Sequence, residues 1–390
     1  SWWSRGTIIV IKRVVRRATK RVYKYAIKPV LFKQHPDDVH KRLIKVAKRT
    51  QRIPVVKRLP KLWAYQAPCL EQTILGLHFK NPVGLAAGFD KDIEMAPTIK
   101  NVGFGWMTGG SVTAQPCKGN LKPWFYRLPR SKSLVVHAGL PSDGIVTILH
   151  RLATYPVSLF TSIPLAVSVA KTNSKETALD EQGITDYCES LRLLNIQNHC
   201  QLYEINISCP NAFGGEPFTD PERLEKLLAA IDSLKLHSPV FLKMPIDKPW
   251  PEFRELLQVA SEHNIQGVTI GNLLKDRSAA HLSEPLPDEI KGSLSGKPTS
   301  QISTELIRQT YCEFSDKFVI IGVGGIFSAH DAYKKIRAGA SLVALITGMI
   351  FEGPQLIGEI NAGLESYLKR DGFGNIHEAV GVDTHGKEGV

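Results

Sequence analysis

The chain has 390 residues, 43% of them hydrophobic, and a formal net charge of +12. That composition can bury a large core. Residues 1–50 hold fifteen Lys/Arg against two acids, Asp37 and Asp38, for +13, so the remaining 340 residues sum to −1. A near-neutral body behind a basic front end excludes a nucleic-acid-binding body and points to a surface-seeking segment. The six cysteines show no Cys-x-x-Cys pairing, which reads as free thiols in a reducing compartment, and nothing in the sequence asks for a metal.

At the front, the run Thr7 to Ile11 is far too short to span a bilayer. Apolar residues at 8, 11, 15, 18, 22 and 26 recur every three or four positions, and Arg13, Arg16, Arg17, Lys20, Arg21 and Lys24 fill the space between them. With Trp2 and Trp3 ahead of it, this is a basic amphipathic helix suited to an anionic membrane surface. An organelle-targeting presequence and a plain solvated helix are the competing readings. Pro36 to Arg52 reads as a second amphipathic helix, acidic in its first turn and basic near its end. Residues 1–60 are thus expected to form a helical extension and residues 61–390 the body.

From residue 81 the chain settles into a rhythm of short, continuous apolar runs with helical stretches between them. The runs are Asn81–Gly88, Gly105–Thr113, Pro164–Ala170, Leu202–Ser208, Val240–Pro245, Gly267–Asn272, Phe318–Gly325 and Leu342–Gly348. Continuous rather than alternating runs are the mark of parallel strands buried on both faces. Eight strand–helix units predict an α/β fold, a closed (β/α)₈ TIM barrel. The long connections Ala114–Ile163 and Leu273–Lys317 are expected to pass over its C-terminal face.

The chemistry collects at the strand ends: Lys91, Ser111, Ser168, Lys171, Asn206, Cys209, Lys243, Asn272, Gly324, Gly325, Thr347 and Gly348. Unpaired buried polar groups cost several kcal/mol, so this set as a whole argues for a ligand site. Gly322-Val-Gly-Gly325, followed by a helix from about Ser328, is a candidate phosphate cradle. Gly292–Pro298 falls one residue short of a nucleotide P-loop and has Pro298 where Ser or Thr is needed, so that reading is rejected. Cys209, next to Asn206 and Asn211, is the candidate base or nucleophile. No His is near it in sequence (His137 could approach only through folding), which disfavours nucleophilic hydrolysis. Asparagines, each both donor and acceptor, suit a planar ring of alternating carbonyl and N–H groups.

Asn81–Lys91 (NPVGLAAGFDK), residues 109–116 with Gly119-Asn120, Asn206–Asn211 (NISCPN), Leu294–Pro298 (LSGKP) and Ile320–Gly339 resemble the dihydroorotate dehydrogenases over about residues 25–382. The basic N-terminal helices and the tail Phe351–Gly381 are similar to the membrane-bound, quinone-dependent class. The resemblance implies FMN held by Ala87, Gly88, Ser111, Asn206, Lys243, Gly271, Gly296, Gly325, Ile346 and Thr347. Lys91, Asn206, Asn211 and Asn272 would bind the dihydropyrimidine and its carboxylate, and Cys209 would remove the C5 proton as a hydride passes from C6 to the flavin. Dihydroorotate oxidation in pyrimidine (UMP) biosynthesis would then feed a quinone. The protein would lie peripherally on a bacterial inner membrane or the mitochondrial inner membrane.

Some positions depart from the quinone-dependent pattern. Cys209 stands where that class has Ser and the soluble class has Cys, and Asn211–Lys248 also leans to the soluble class. Gly139-Leu140-Pro141 lacks an Asn, Ser168 replaces an Asn, Leu273 a Thr or Ser, and Gly271 a Thr. Two further readings follow from these: an FMN barrel oxidoreductase acting on another ring, and a non-catalytic, membrane-associated flavin binder.

Overall fold

The computed structural model describes residues 2–51, 53 and 59–384, with side chains from residue 10 onward. Among the described residues thirteen strands run in chain order. They are β1 (Gln72–Ile74), β2 (Leu77–Phe79), β3 (Val83–Leu85), β4 (Trp106–Val112), β5 (Phe125–Leu128), β6 (Ser133–Val136) and β7 (Leu165–Val169), followed by β8 (Leu202–Asn206), β9 (Val240–Met244), β10 (Gly267–Ile270), β11 (Ser293–Leu294), β12 (Val319–Val323) and β13 (Leu342–Leu345). Eight of them, β3, β4, β7, β8, β9, β10, β12 and β13, close into a parallel barrel in chain order. Each of the eight apolar runs contains one of these strands, and helices such as Pro221–Asp232 and Ala329–Arg337 cover them outside. The fold is the expected TIM barrel.

Inside, the barrel is layered by polarity. Phe79, Trp106, Ala166, Leu202, Phe241, Ile321 and Leu342 form one apolar cluster around the N-terminal ends of the strands. The hairpin β1–β2 supplies Phe79, whose ring meets Trp106 edge-on at 6.5 Å, and so stops the bottom of the barrel. Two residues further along the inward faces come Ser168, Glu204, Lys243 and Thr269, all buried. Side-chain period 2 puts this polar layer directly above the apolar one.

Both long connections do cross the C-terminal face, and they meet there. β5 and β6 come from the first and β11 from the second, forming an antiparallel sheet in the order β11-β6-β5. Ser293 pairs with Val136 and Leu294 with Val135.

The extension begins as the helix Trp2–Val22, loosens into a π-helical turn at Tyr23–Ile27 and continues over Lys28–Phe32. The second helix is Pro36–Thr50, with Asp37 and Asp38 in its first turn and Lys48 and Arg49 in its last; its expected end at Arg52 lies outside the described residues. Asp37 also accepts the backbone N–H groups of Trp124 and Phe125, pinning this helix to β5.

The first helix docks polar face inward. Lys20 pairs with Glu359 at 2.9 Å, Trp63 Nε1 donates to Thr19, the Tyr23 hydroxyl donates to the Ile350 carbonyl, and buried Arg16 lies over the Tyr65 ring. Ile11, Val14, Ala18, Val22 and Tyr25 consequently face outward, with Val14 59% and Tyr25 72% exposed. Among the described residues no helix is long and apolar enough to cross a membrane.

Candidate active site

The site grows from the tips of the barrel strands. Asn206, the last residue of β8, lies beside Lys243 of β9 in the ladder, so carboxamide and ammonium share one rim. Asn206 Nδ2 donates to the Ser111 hydroxyl at 2.8 Å, and Ser111 Oγ lies 2.9 Å from Ser168 Oγ. Ser168 thus completes a buried polar arc from β4 through β7 to β8. The Tyr187 hydroxyl donates to the Asn206 carbonyl at 2.7 Å, which holds the strand tip from behind. The Lys243 ammonium faces Glu204 at 4.0 Å, and Glu204 accepts from the Thr269 hydroxyl at 2.8 Å.

Cys209 is half-buried on the loop after β8. Burial pushes its thiol up from the ordinary 9.0, against the pull of the Asn211 N–H and the charges of Lys243 and Lys171. The loop is heavily braced. Buried Lys171 donates to the Phe213 carbonyl at 2.7 Å, and Asn272 Nδ2 donates to both the carbonyl and the hydroxyl of Ser208 at 2.6 Å. Asn211 Nδ2 donates to the Val136 carbonyl at 2.9 Å, tying the loop to β6.

Folding also brings His137 to this loop, with Nδ1 at 3.4 Å from Asn211 Oδ1. Asn120 bridges the same group: its Nδ2 donates to the Asn211 carbonyl at 2.9 Å, and its Oδ1 accepts from Asn173 at 3.3 Å. Sequence reasoning gave Asn120, His137 and Asn173 no role in the site. They lie 36 or more positions from Cys209 along the chain, and only the crossing of the long connection over the barrel assembles them.

Lys91 projects from the loop after β3. Its ammonium donates to the Gly88 carbonyl at 3.0 Å and sits 5.2 Å from the centre of the Phe125 ring. Burial lowers its pKa to about 8, with Asp92 and Asp37 opposing. Its neighbour Asp90 is fully buried, accepts the N–H groups of Glu94 and Met95, and is raised by that burial to about 6. Lys91 is therefore a cation poised three strands round the barrel from Cys209, on the side where the second N-terminal helix packs.

Gly296, Gly325, Ile346 and Thr347 gather at the other side of the rim. Gly296 has φ +78°, and a Cβ there would come within 2.8 Å of Thr347 Cγ2. Gly325 has φ +69°, and a Cβ there would overlap Ser300. Ser295 Oγ lies 2.9 Å from Thr347 Oγ1, and Gly88 faces Ile346.

The phosphate cradle needs one correction. The helix Ala329–Arg337, expected to aim its N-terminus at the ligand, is capped by its own residues: Ser328 Oγ accepts from Asp331 N, and Asp331 Oδ2 from Phe327 N. An acidic group there also opposes an anion. The short helix Thr347–Glu352 has no side-chain cap, leaving its leading N–H groups open beside Gly296 and Ser295. Ala87 lies beside Gly88 on the loop after β3, and Gly271 lies against the Val323 carbonyl.

A closed parallel barrel with ammonium, carboxamide and thiol groups at one rim is the frame of a barrel enzyme acting on a polar ring. Comparison with known proteins narrows this. Residues 69–368 match the family model for dihydroorotate dehydrogenase. The curated dihydroorotate dehydrogenase (quinone) of Nostoc punctiforme is 35% identical over 379 residues, covering 94% of this chain and 100% of the relative. That of Haloarcula marismortui is 32% identical, covering 91% and 98%. The crystal structure of the Eimeria tenella DHODH in complex with ferulenol superposes with a TM-score of 0.79 at 26% identity, covering 90% of this chain and 96% of that one. The chain belongs to the dihydroorotate dehydrogenase family.

Proposed function

We propose that this chain oxidises (S)-dihydroorotate to orotate in pyrimidine (UMP) biosynthesis, with FMN as hydride acceptor and a quinone as final electron acceptor. The observation that carries the reading is the continuous polar rim Ser168–Ser111–Asn206–Lys243, with Cys209 on the loop that follows. FMN fits the residues present. Gly296 and Gly325 keep positive φ where a side chain would collide, the uncapped start of Thr347–Glu352 can take a phosphate, and Asn206 and Lys243 present groups suited to a flavin's carbonyl edge. When bound, FMN would take the hydride from C6 and release the electrons to the quinone.

Each side chain then has a definite task. Cys209, once deprotonated, removes the C5 proton, and Lys171 and Lys243 favour its thiolate electrostatically. Lys91 receives the substrate carboxylate, and Asn206, Asn211 and Asn272 offer donor and acceptor to the ring. Ser208, Val136 and Asn120 hold Asn272 and Asn211 in place, so the ring contacts are set before substrate arrives. The positions that depart from the quinone-dependent pattern keep the rim polar: Ser168 joins the arc through Ser111, and Leu273 contributes its N–H to Asn272 Oδ1 at 2.9 Å.

The outward apolar stripe of the first helix and its basic flanks support a peripheral membrane position, with quinone arriving along residues 1–60 ahead of the barrel domain at 61–390. Anaerobic addition of dihydroorotate to the flavin-loaded protein tests the core of this reading, and bleaching of the flavin is the expected result. Protein that stays colourless in excess FMN refutes flavin binding. Bound flavin that dihydroorotate does not bleach favours a different ring substrate.

A further inference from the structure

Glu204 has no place in the chemistry above, yet it lies at its centre. It is 3% exposed and sits on β8 two residues before Asn206, facing the barrel interior. Below it are Leu202 and Phe241 of the apolar layer. One carboxylate oxygen accepts from the Thr269 hydroxyl, and the other, Oε1, has no hydrogen-bond partner. Among the described residues the single cation within ion-pair reach of it is Lys243, with Nζ 4.0 Å from Oε1. Lys243 in turn makes no direct hydrogen bond through its ammonium among the described residues.

A buried carboxylate with an open oxygen costs several kcal/mol unless a nearby positive charge compensates it. The same low-dielectric surroundings leave its field unscreened by water, so it acts on whatever Lys243 acts on. We infer that Glu204 is the built-in counter-charge of Lys243 and holds down the reduction potential of the flavin beside it. An uncompensated Lys243 would stabilise the negative charge of the reduced flavin and retain its electrons. Partial cancellation by Glu204 lets the electrons pass on to the acceptor. Glu204 is thus a positioning residue acting through Lys243 and touches neither substrate nor flavin. The inference rests on FMN lying beside Lys243, as proposed above.

The test uses flavin-loaded full-length protein and reads the flavin midpoint potential by equilibration with a reference dye. Glu204→Gln keeps shape and removes charge. It is expected to raise the potential by at least a tenfold change in the two-electron equilibrium constant, about 30 mV. Glu204→Asp should return most of the wild-type value. Glu204→Met serves if the Gln variant does not fold, since apolar replacement of a buried charge is often tolerated.

An unchanged potential in a variant that still holds flavin overturns the inference. So does loss of flavin binding in a folded variant, because freeing Lys243 should strengthen its hold on an anion-forming ligand. Failure of both the Gln and Met variants to fold assigns Glu204 to the barrel's architecture instead. Wild-type protein that binds no flavin fails the earlier reading rather than this one, so the two failures are distinguishable.

Discussion

The pH dependence of proton abstraction is the sharpest consequence of a thiol at position 209. A base works only when deprotonated, and burial lifts this thiol above its ordinary 9.0. Near neutral pH only a small minority of it is then thiolate. The rate of anaerobic flavin bleaching by saturating dihydroorotate should therefore climb about tenfold per pH unit, roughly 30-fold from pH 7 to 8.5, and level off only above 9. Lys91, lowered to about 8 by burial, titrates in the same window with the opposite effect on binding. Its loss of charge should raise the dihydroorotate concentration needed for half-saturation without lowering the limiting rate. Stopped-flow bleaching at several substrate concentrations separates the two. Cys209→Ser, whose hydroxyl does not titrate here, should lose about 10²- to 10⁴-fold and flatten the profile. Wild-type bleaching that is flat from pH 7 to 9, or Cys209→Ala bleaching at the wild-type rate, would refute the reasoning.

Three further outcomes are expected. Gly325→Ala at φ +69°, with its new Cβ against Ser300, should lose about 1–2 kcal/mol from backbone strain alone. That loss falls on the stability of the folded barrel and is read as a lower midpoint in denaturant melts. Deleting residues 1–28 should release the protein from anionic vesicles in a sedimentation assay, because each Lys or Arg near such a surface contributes about 1 kcal/mol; undiminished binding would remove the helix from membrane contact. Burial opposes protonation of His263, but its hydrogen bonds to Glu225 and Asp232 outweigh it and raise the pKa above 6.5. That pairing stabilises fully below pH 6.5 and fades as pH rises through the folded value, by about 1 kcal/mol or less since both acids are partly solvated. Denaturant melts of His263→Gln should lose this pH dependence.

All eight barrel strands were legible because continuous runs such as FVIIGVGG carry the signature of a strand buried on both faces, and most of the runs end in Gly, Pro, Asn or Ser. The plug hairpin was not. Its two-residue turn places Leu75 at φ +52° and Gly76 at φ +78°, and a leucine in that conformation gives none of the usual turn signal. Lys91, Asn206, Cys209, Asn211 and Asn272 stand out in the sequence because each lies at a strand end or within six residues of one. Asn120 and His137 gave no local sign of where they would lie, because the path of a fifty-residue connection carries them to Asn173 and Asn211. The phosphate end shows a subtler limit. Two helix starts follow the glycines, and only side-chain capping tells which is open.

The small sheet over the rim also bears on how this protein can be re-engineered or diversified. Since β6 is flanked by β5 from its own connection and β11 from the other, the two segments share one sheet and their side chains must match across it. A chimera that exchanges 114–163 and 273–317 together should fold, whereas one that exchanges either half should lose its grip on Asn211 through Val136. The two stretches thus act as one structural unit, although 109 residues of chain separate them.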